Sequence, residues 1–556
     1  MNDHLFVIAI GGTGMRCLES FVHLCAIGMF DLQEIEILLL DTDYSNGNKS
    51  RVQQLVSKYN DVKKYGNVEG GTNANTFFSA KLNLYNFGTQ YDEAGRDSYR
   101  TIAHLTNADA NDHNQDVASL FLSPEVQEFL LKEGYRAQTH LGSMLMYHSI
   151  VDAARRERTS STDATKDIAR FIRLLTDKGE NARVFVFGSI FGGTGASSIP
   201  IIPKALRDAS QILSGEDSNQ TIDLKKVKFG STLLTQYFSF PVANVNEVER
   251  EKIIAKSENF SLNCQAALQF YMDDPTVRTC YRRFYHIGWP NDMKFAIKYE
   301  GHIQTGGAMQ KNDCHVVELL AASAAYDFFH ADDLKVADND MAQDARYLFR
   351  SAEFDGGFKF EGNTFFDQNA DKRFTGKLLM FFSLAHLILS SKGMEGAWGK
   401  PGTQQLVRFI NDPQYKELID KPEECKTLDV YLREFAYENQ KDDKGEDKLV
   451  FGWIYQIYAS INGGSFLFRP DAFVRDKDSL KNLDMGWLSK NEAHRWHSGW
   501  WDKSPNQDKS KDAFAIKIRD NATKPNDDIQ WLQTQKERLI AHLFNSLAKV
   551  QNYSEV

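Results

Sequence analysis

One four-residue word occurs twice in this chain, each time close behind an apolar run. GGTG follows Leu5–Ile10 at Gly11–Gly14, and it follows Val184–Phe187 after a short spacer at Gly192–Gly195. A buried strand that breaks into a glycine-rich corner and then into small residues reads as strand, tight turn, helix. Such a corner aims several backbone N–H groups at one spot, and the following helix adds its partial positive end. The result is a nest for an anion. Glycine lets the loop reach left-handed dihedrals and lets phosphate oxygens approach the backbone. Threonine adds a hydroxyl. Two copies of this device predict one ligand held from two sides.

The first 43 residues read strand, glycine turn, helix, strand. Cys17, Phe21, Leu24 and Cys25 recur at helical spacing, and "EIEILLLDTD" is a second strand ending in Asp41 and Asp43. That is a βαβ unit, which implies a parallel sheet covered by helices. Ligands of such sheets sit at the carboxyl ends of the strands, where both GGTG loops fall.

Residues 44–133 are polar and aromatic-rich and read as an insertion of helices and loops. "GYRAQTHLGSMLMYHSIVDAARR" returns to a glycine-bounded turn, Gly134 to Gly142, opening a helix. Further strands are expected at Val184–Phe187, from Val227 and at Arg283–Asp292. "NDCHVVELLAASAAYDFF" reads as a long helix with Val316, Leu319, Leu320, Ser323, Ala324 and Phe328 on one stripe. Beyond about residue 340 strand signals weaken. Glu438–Lys448 and Asp502–Asp512 read as solvated loops, Leu378–Leu389 as a buried helix, and residues 527–550 as an amphipathic helix.

With 556 residues, 42% hydrophobic and 25% charged, the chain predicts two soluble domains. The net charge of −10 argues against non-specific nucleic-acid binding. The six cysteines are scattered without a CxxC pair, as expected of reduced thiols in a cytoplasmic protein, and no residue set suggests a protein-built metal site. The first apolar run lacks a basic leader, and the longest apolar stretch is too short for a bilayer, so neither a signal peptide nor a membrane span is expected.

Which nucleotide would the loops take? A kinase-type P-loop needs a lysine that neither loop has. A dinucleotide fold would use Asp41 or Asp43 on the ribose, but GxGxxG fails because Cys17 stands where its last glycine belongs.

Taken in order, several short stretches resemble the tubulin/FtsZ superfamily of GTPases, in particular its divergent bacterial members. "FGGTGAS", Phe191–Ser197, is similar to the GGGTG(S/T)G hallmark, with Phe191 and Ser197 in place of glycines. "IGGTGMR" stands where that family has its N-terminal phosphate loop, "LLLDTD" resembles its second strand, and "GYRAQTHLG" its loop over the γ-phosphate. "GWPND" resembles the IPND after a later strand, and "KNDCHVVELLAA" the start of a long central helix. The resemblance covers about residues 5–330. It implies an α/β, Rossmann-like GTPase domain at 1–330, with its insertion at about 44–133 and its central helix at about 312–330, followed by a mainly helical or α+β C-terminal domain at 331–556.

The implied nucleotide contacts are Gly11, Gly12, Thr13, Gly14, Met15, Arg16, Asp41, Gly142, Gly192, Gly193, Thr194, Gly195 and Ala196, with Asn291 and Asn312 reading guanine. GTP or GDP with Mg²⁺ would be the cofactors. Water attack on the γ-phosphate would come from an acidic loop of the neighbouring subunit, here "HADDLKVADNDMAQD", with Asp333 and Asp338 as catalytic candidates and Asp332 and Asp340 beside them. The implied function is a GTPase that self-associates head to tail. Two alternatives stand beside it. One is a non-polymerising nucleotide switch or sensor in a multi-protein bacterial system such as phage defence, with a protein partner at the C-terminal region. The other is a Rossmann-type NAD-dependent enzyme.

Overall fold

A computed structural model describes residues 3–31, 33–43, 45–66, 77–87, 113–128, 135, 139–161, 163–215, 221–240, 256–290, 295–296, 306–332, 334, 346–351, 426–441, 444–445 and 447–461, with positions 373, 374, 377, 378, 381, 382 and 385. In chain order the strands are β1 (His4–Ile10), β2 (Glu34–Leu40), β3 (Lys81–Asn86), β4 (Ala182–Phe187), β5 (Lys228–Leu234), β6 (Phe238–Ser239), β7 (Tyr281–Gly288), β8 (Phe295–Ala296), β9 (Arg346–Ser351), β10 (Tyr437–Lys441) and β11 (Asp447–Phe451). The main helices are α1 (Gly11–Ala26), α2 (Gly47–Gly66), α3 (Thr139–Thr159), α4 (Asp163–Lys178), α5 (Gly193–Ser198), α6 (Ile202–Ser214), α7 (Phe260–Asp273), α8 (Val316–His330), α9 (Lys426–Phe435) and α10 (Trp453–Ser460).

Seven strands form one sheet in the order β3-β2-β1-β4-β5-β7-β9, and every neighbouring pair is parallel. Strands such as LFVIAI and VFVF are apolar at consecutive positions because both faces of a parallel sheet are covered. Phe6 of β1 meets Phe171 of α4 edge-on. On the opposite face Phe187 meets Phe21 of α1, and Phe185 meets Phe328 and Phe329 of α8. Helices α2, α1 and α8 pack side by side on one face, and α4, α3 and α6 pack together on the other.

The order of the strands matters more than their number. From β1 the sheet grows outward through β2 and β3, and from β4 it grows the opposite way through β5, β7 and β9. The reversal lies between β1 and β4. Two successive connections leave in opposite directions there, so the helices that follow diverge and a crevice opens at the strands' carboxyl ends.

Three expectations need correction. Residues 44–133 are not simply an insertion, because α2 and β3 within them complete the sheet's edge. The sheet also crosses the boundary expected at residue 330, since β9 pairs with β7 from Arg283↔Arg346 onward. The solvated run Glu438–Lys448 folds back on itself as the antiparallel hairpin β10–β11. Hydrophilicity alone does not distinguish such a short ladder from a loop.

The helix α8 is buried on nearly every side rather than along one stripe, because α1 flanks it and α10 packs against it. That packing is specific. Trp453 of α10 is fully buried, donates to the Ser20 hydroxyl at 2.9 Å and stacks on His23 of α1 with ring centroids 4.8 Å apart. Phe374, Leu378, Phe381, Phe382 and Ala385 are helical and buried, in line with the expected apolar helix there. The runs at 502–512 and 527–550 lie outside the described residues.

Candidate functional site

At the strand-order reversal, the two GGTG words meet. Helix α1 begins at Gly11 itself and α5 at Gly193, so each glycine word forms the first turn of its helix. Gly11 adopts φ +65°, and a side chain there would meet Cβ of Thr194 at 3.1 Å. The two loops are thus in van der Waals contact across the gap between β1 and β4.

The six glycines of the two words do two different jobs. A side chain at Gly14 would come within 2.6 Å of the Phe187 carbonyl oxygen, and one at Gly195 within 2.5 Å of the Ser189 carbonyl oxygen. Those are backbone atoms that cannot yield, so Gly14 and Gly195 exist for helix-on-strand packing. At Gly192 the nearest obstacle is the Ser189 hydroxyl at 3.4 Å, an ordinary contact. Gly11, Gly12, Gly192 and Gly193 face the cleft.

Neither helix has a side-chain cap. The residue before α1 is Ile10 and the one before α5 is Gly192, and neither first turn contains an acid. Asp274 caps Pro275–Cys280, and His315 closes a reciprocal capping box with Glu318 on α8, whereas α6, α7 and α10 also start without a side-chain cap; α1 and α5 stand apart in that their uncapped first turns line the cleft. At α1 and α5, then, the orphan N–H groups of the first turn are left for something else.

The cleft spans about 710 Å³ of empty space, part of it open to solvent. Its floor is Ile10–Thr13 and Gly192–Gly195. On the β2 side stand Asp41, Asp43, Asn46 and Asn48, with Gln310 and Asn312 brought against them. On the β5 side stand Phe238, Phe240 and Phe260, with Phe191 packed between them at ring separations of 5.2–5.3 Å from Phe260 and Phe238. The cleft therefore has a polar end and an aromatic end, with backbone amides between. Neither Lys nor Arg lines it among the described residues.

Asp41 and Asp43 differ in role. Asp43 accepts from Ser45 N–H and the Ser45 hydroxyl, both at 3.1 Å, and from Gly307 N–H at 2.6 Å, so it pins the segment before α8 to the end of β2. Asp41 is 3% exposed, and one oxygen accepts from Asp43 N–H at 3.1 Å. Burial, then the neighbouring Asp43 carboxylate, push its pKa up to about 7. An acid raised in the fold stabilises it below its unfolded value near 3.8, and that contribution is lost as pH rises toward 7. We therefore expect unliganded Asp41→Asn to exceed the parent in stability by about 4 kcal/mol at pH 8 and nearly to match it at pH 4. Denaturant titration at both pH values checks this, and equal stability at pH 8 would contradict the assignment.

The remaining expected residues divide clearly. Gly11, Gly12, Thr13, Asp41, Gly192, Gly193, Thr194, Gly195 and Asn312 line the cleft. Gly14, Met15, Arg16, Gly142 and Ala196 do not. Met15 is fully buried in the core. Gly142 is a contact point of α3 against Ser197 and Tyr135. Ala196 is buried, its carbonyl accepting from Tyr271 at 2.6 Å. Arg16 corrects the expectation most clearly. It turns beneath the cleft, 1% exposed, and pairs with Glu19 at 2.6 Å and Glu318 at 3.2 Å. Asn291, Asp333 and Asp338 lie outside the described residues.

Beneath the floor, Arg16 joins a buried network. Tyr237 donates to Glu318 at 2.9 Å, and Arg51 of α2 pairs with Glu19 at 2.9 Å and donates to the Asn312 carbonyl at 3.2 Å. Burial holds Glu318 above the usual carboxylate range even beside Arg16. Glu19 lies below that range, because Arg51 and Arg16 together outweigh its burial. The C-terminal region enters here too: Gln456 accepts from Cys314 N–H at 2.8 Å, and Ser460 accepts from Val316 N–H at 2.9 Å.

Asn46, Asn48, Gln310 and the aromatic end were not expected from sequence. "SNGNK" after the second strand carried a signal, since Asn46 accepts from Asn48 N–H at 2.9 Å and so opens α2 as a cap. Gln310 carried none. No family model matches the chain, nor does any curated protein or solved structure.

Proposed function

We propose that this cleft binds a purine nucleoside triphosphate, GTP by the resemblance of its loops to the tubulin/FtsZ superfamily. The observation that carries the reading is the contact of two uncapped GGTG turns at the sheet's reversal point. One glycine corner serves packing in many proteins. Two in contact, each with free first-turn amides, suit a chain of phosphates. The second loop, on β4, also weighs against the NAD-dependent alternative, which needs only the loop on β1.

The polar and aromatic ends give the ligand a direction. The flat base suits Phe191, Phe238, Phe240 and Phe260, and the phosphates suit the amides and the β2 side, which sets Asn312 apart from the guanine it was expected to read. With no Lys or Arg on the lining among the described residues, the phosphates' charge calls for Mg²⁺. The donor set fits a water-bridged ion: Asp41 is a hard oxygen ligand, buried and short of positive charge. No cluster of three or more ligating side chains is present among the described residues, so phosphate and water would complete the shell. Bound there, Mg²⁺ would neutralise charge on the terminal phosphates. The chain's own part is positioning: amides fix the phosphates, Thr194 offers a hydroxyl, and Asp41 ionises against the ion.

Hydrolysis and assembly are linked in this reading. Asp332, next to Asp333, lies beyond the C-terminal end of α8, whereas Asn312 precedes its N-terminus. A 15-residue helix separates them by about 22 Å. In this reading an acid following α8 would serve the phosphates of another copy, stacked head to tail. The alternative of a non-assembling switch draws on the bonds from Gln456 and Ser460 to the start of α8, which connect the cleft to the C-terminal region. Sedimentation with and without GTP separates the two. No helix among the described residues is long and apolar enough to cross a membrane.

The test is calorimetric titration of the purified chain with GTP, ATP and NAD, together with identification of any copurifying nucleotide. GTP is expected to bind at least about tenfold more tightly than ATP, a difference of about 1.4 kcal/mol. Thr194→Val and Gly193→Val should remove binding and leave the melting temperature in place. A folded Thr194→Val with unchanged GTP affinity would falsify the reading.

A further inference from the structure

Three carboxamides at the polar end have their orientation fixed by the backbone. The Asn46 side-chain oxygen must accept, because it takes Asn48 N–H at 2.9 Å and Lys49 N–H at 3.3 Å at the start of α2. Its nitrogen must then donate, and it does so to the Gln310 side-chain oxygen at 2.9 Å. Gln310 is thereby left with its NH₂ group for other partners. Asn48 is placed alike: its oxygen accepts from Asn312 N–H at 3.4 Å. Neither the Gln310 nor the Asn48 amide nitrogen has a protein acceptor among the described residues. Both residues line the cleft, at 8% and 2% exposure.

The three side chains gather at Gly12. A side chain at Gly12 would meet the Gln310 oxygen at 3.2 Å and the Asn46 and Asn48 nitrogens at 3.4 Å. Asn48 and Gln310 thus each carry a nearly buried NH₂ group without a protein acceptor among the described residues, beside an uncapped helix start. Leaving such donors unmet in the unliganded chain costs free energy that a ligand acceptor returns.

We infer that Asn48 and Gln310 bind the terminal phosphate of the nucleotide and so distinguish triphosphate from diphosphate. This rests on the nucleotide reading of the same cleft. A base edge mixes donors and acceptors, whereas a phosphate oxygen only accepts, which matches what these side chains offer. The subsite also lies on the β2 side of the glycine loops, across the cleft from the aromatic wall suited to the base. The contact has a mechanical result. Gln310 sits on the segment that Asp43 pins at Gly307 and that runs into α8, so a phosphate held by Gln310 and Asn48 clamps that segment onto the start of α2.

The sharpest test uses changes that preserve the protein's own bonds. In Gln310→Glu a carboxylate oxygen still accepts from Asn46, and in Asn48→Asp one still accepts from Asn312 N–H. Only the ligand-facing donor is replaced, by an acceptor. Gln310→Leu removes the donor without adding charge. GTP and GDP are titrated with Mg²⁺ at pH 8 into each variant and the parent, with melting temperatures recorded. GTP affinity should fall about 10- to 100-fold, the range for hydrogen bonds to a charged group, while GDP affinity stays within about threefold. Equal losses for GTP and GDP, or an unchanged ratio in both Gln310→Leu and Asn48→Asp, would overturn the inference and leave the nucleotide reading standing. Binding of neither nucleotide by the parent overturns the nucleotide reading itself, and this subsite with it.

Discussion

Gly14→Val and Gly195→Val should yield no folded protein, and even alanine at either position should cost more than about 4 kcal/mol. The reason is local and severe. A Cβ at these positions would press on the backbone oxygens of Phe187 and Ser189 at 2.6 and 2.5 Å, so α1 or α5 would have to lift off the sheet. Gly192→Ala is the control, since its Cβ would meet only the Ser189 hydroxyl at 3.4 Å and the fold should be retained. Circular dichroism melts of the three alanine variants separate the cases. If Gly195→Ala melts with the parent, the division of the glycines into packing and ligand positions is wrong.

Arg16→Met should destabilise the chain by about 3–5 kcal/mol, the usual loss when one partner leaves a buried ion pair. Arg16 is the cation between Glu19 and Glu318. Glu19 keeps Arg51, so the loss falls mainly on Glu318, already held above the usual carboxylate range by burial. Without the guanidinium Glu318 would take up a proton more readily still. The deficit should therefore shrink as pH falls from 8 toward 5, because the protonated acid needs no cation. Denaturant midpoints across that range test it. A folded Arg16→Met that loses only nucleotide affinity would restore Arg16 to the ligand contacts implied by its place after GGTG.

The sequence signals and the structure part company where long-range packing decides. The βαβ start, both glycine corners and the central helix were legible because each is encoded locally, by an apolar run, a turn word or a capped helical period. The strand β3 was not, because KLNLYN has only a weak alternation and earns its place at the edge through β2. The single apolar stripe read on α8 understates its burial, because α1 and α10 pack on further sides of it. At the site, glycines and Asp41 were readable from position relative to strands. Gln310 was not, since its role comes from an amide chain that starts 264 residues earlier, at Asn46. Arg16 was misassigned for the same reason: its partner Glu318 lies 302 residues away.

The placement of β1 against β4 has a consequence for how the chain must be made. In synthesis β1 emerges first, followed by everything up to residue 181, before its second neighbour exists. Until β4 arrives, one long edge of an almost wholly apolar strand stays open, and closing so large a loop is entropically slow. The nascent chain must keep that edge shielded, by α1 or by a chaperone, for most of the time the first third of the protein takes to appear. Ligand capacity should accordingly emerge late and all at once in refolding, because neither glycine corner makes half a site alone.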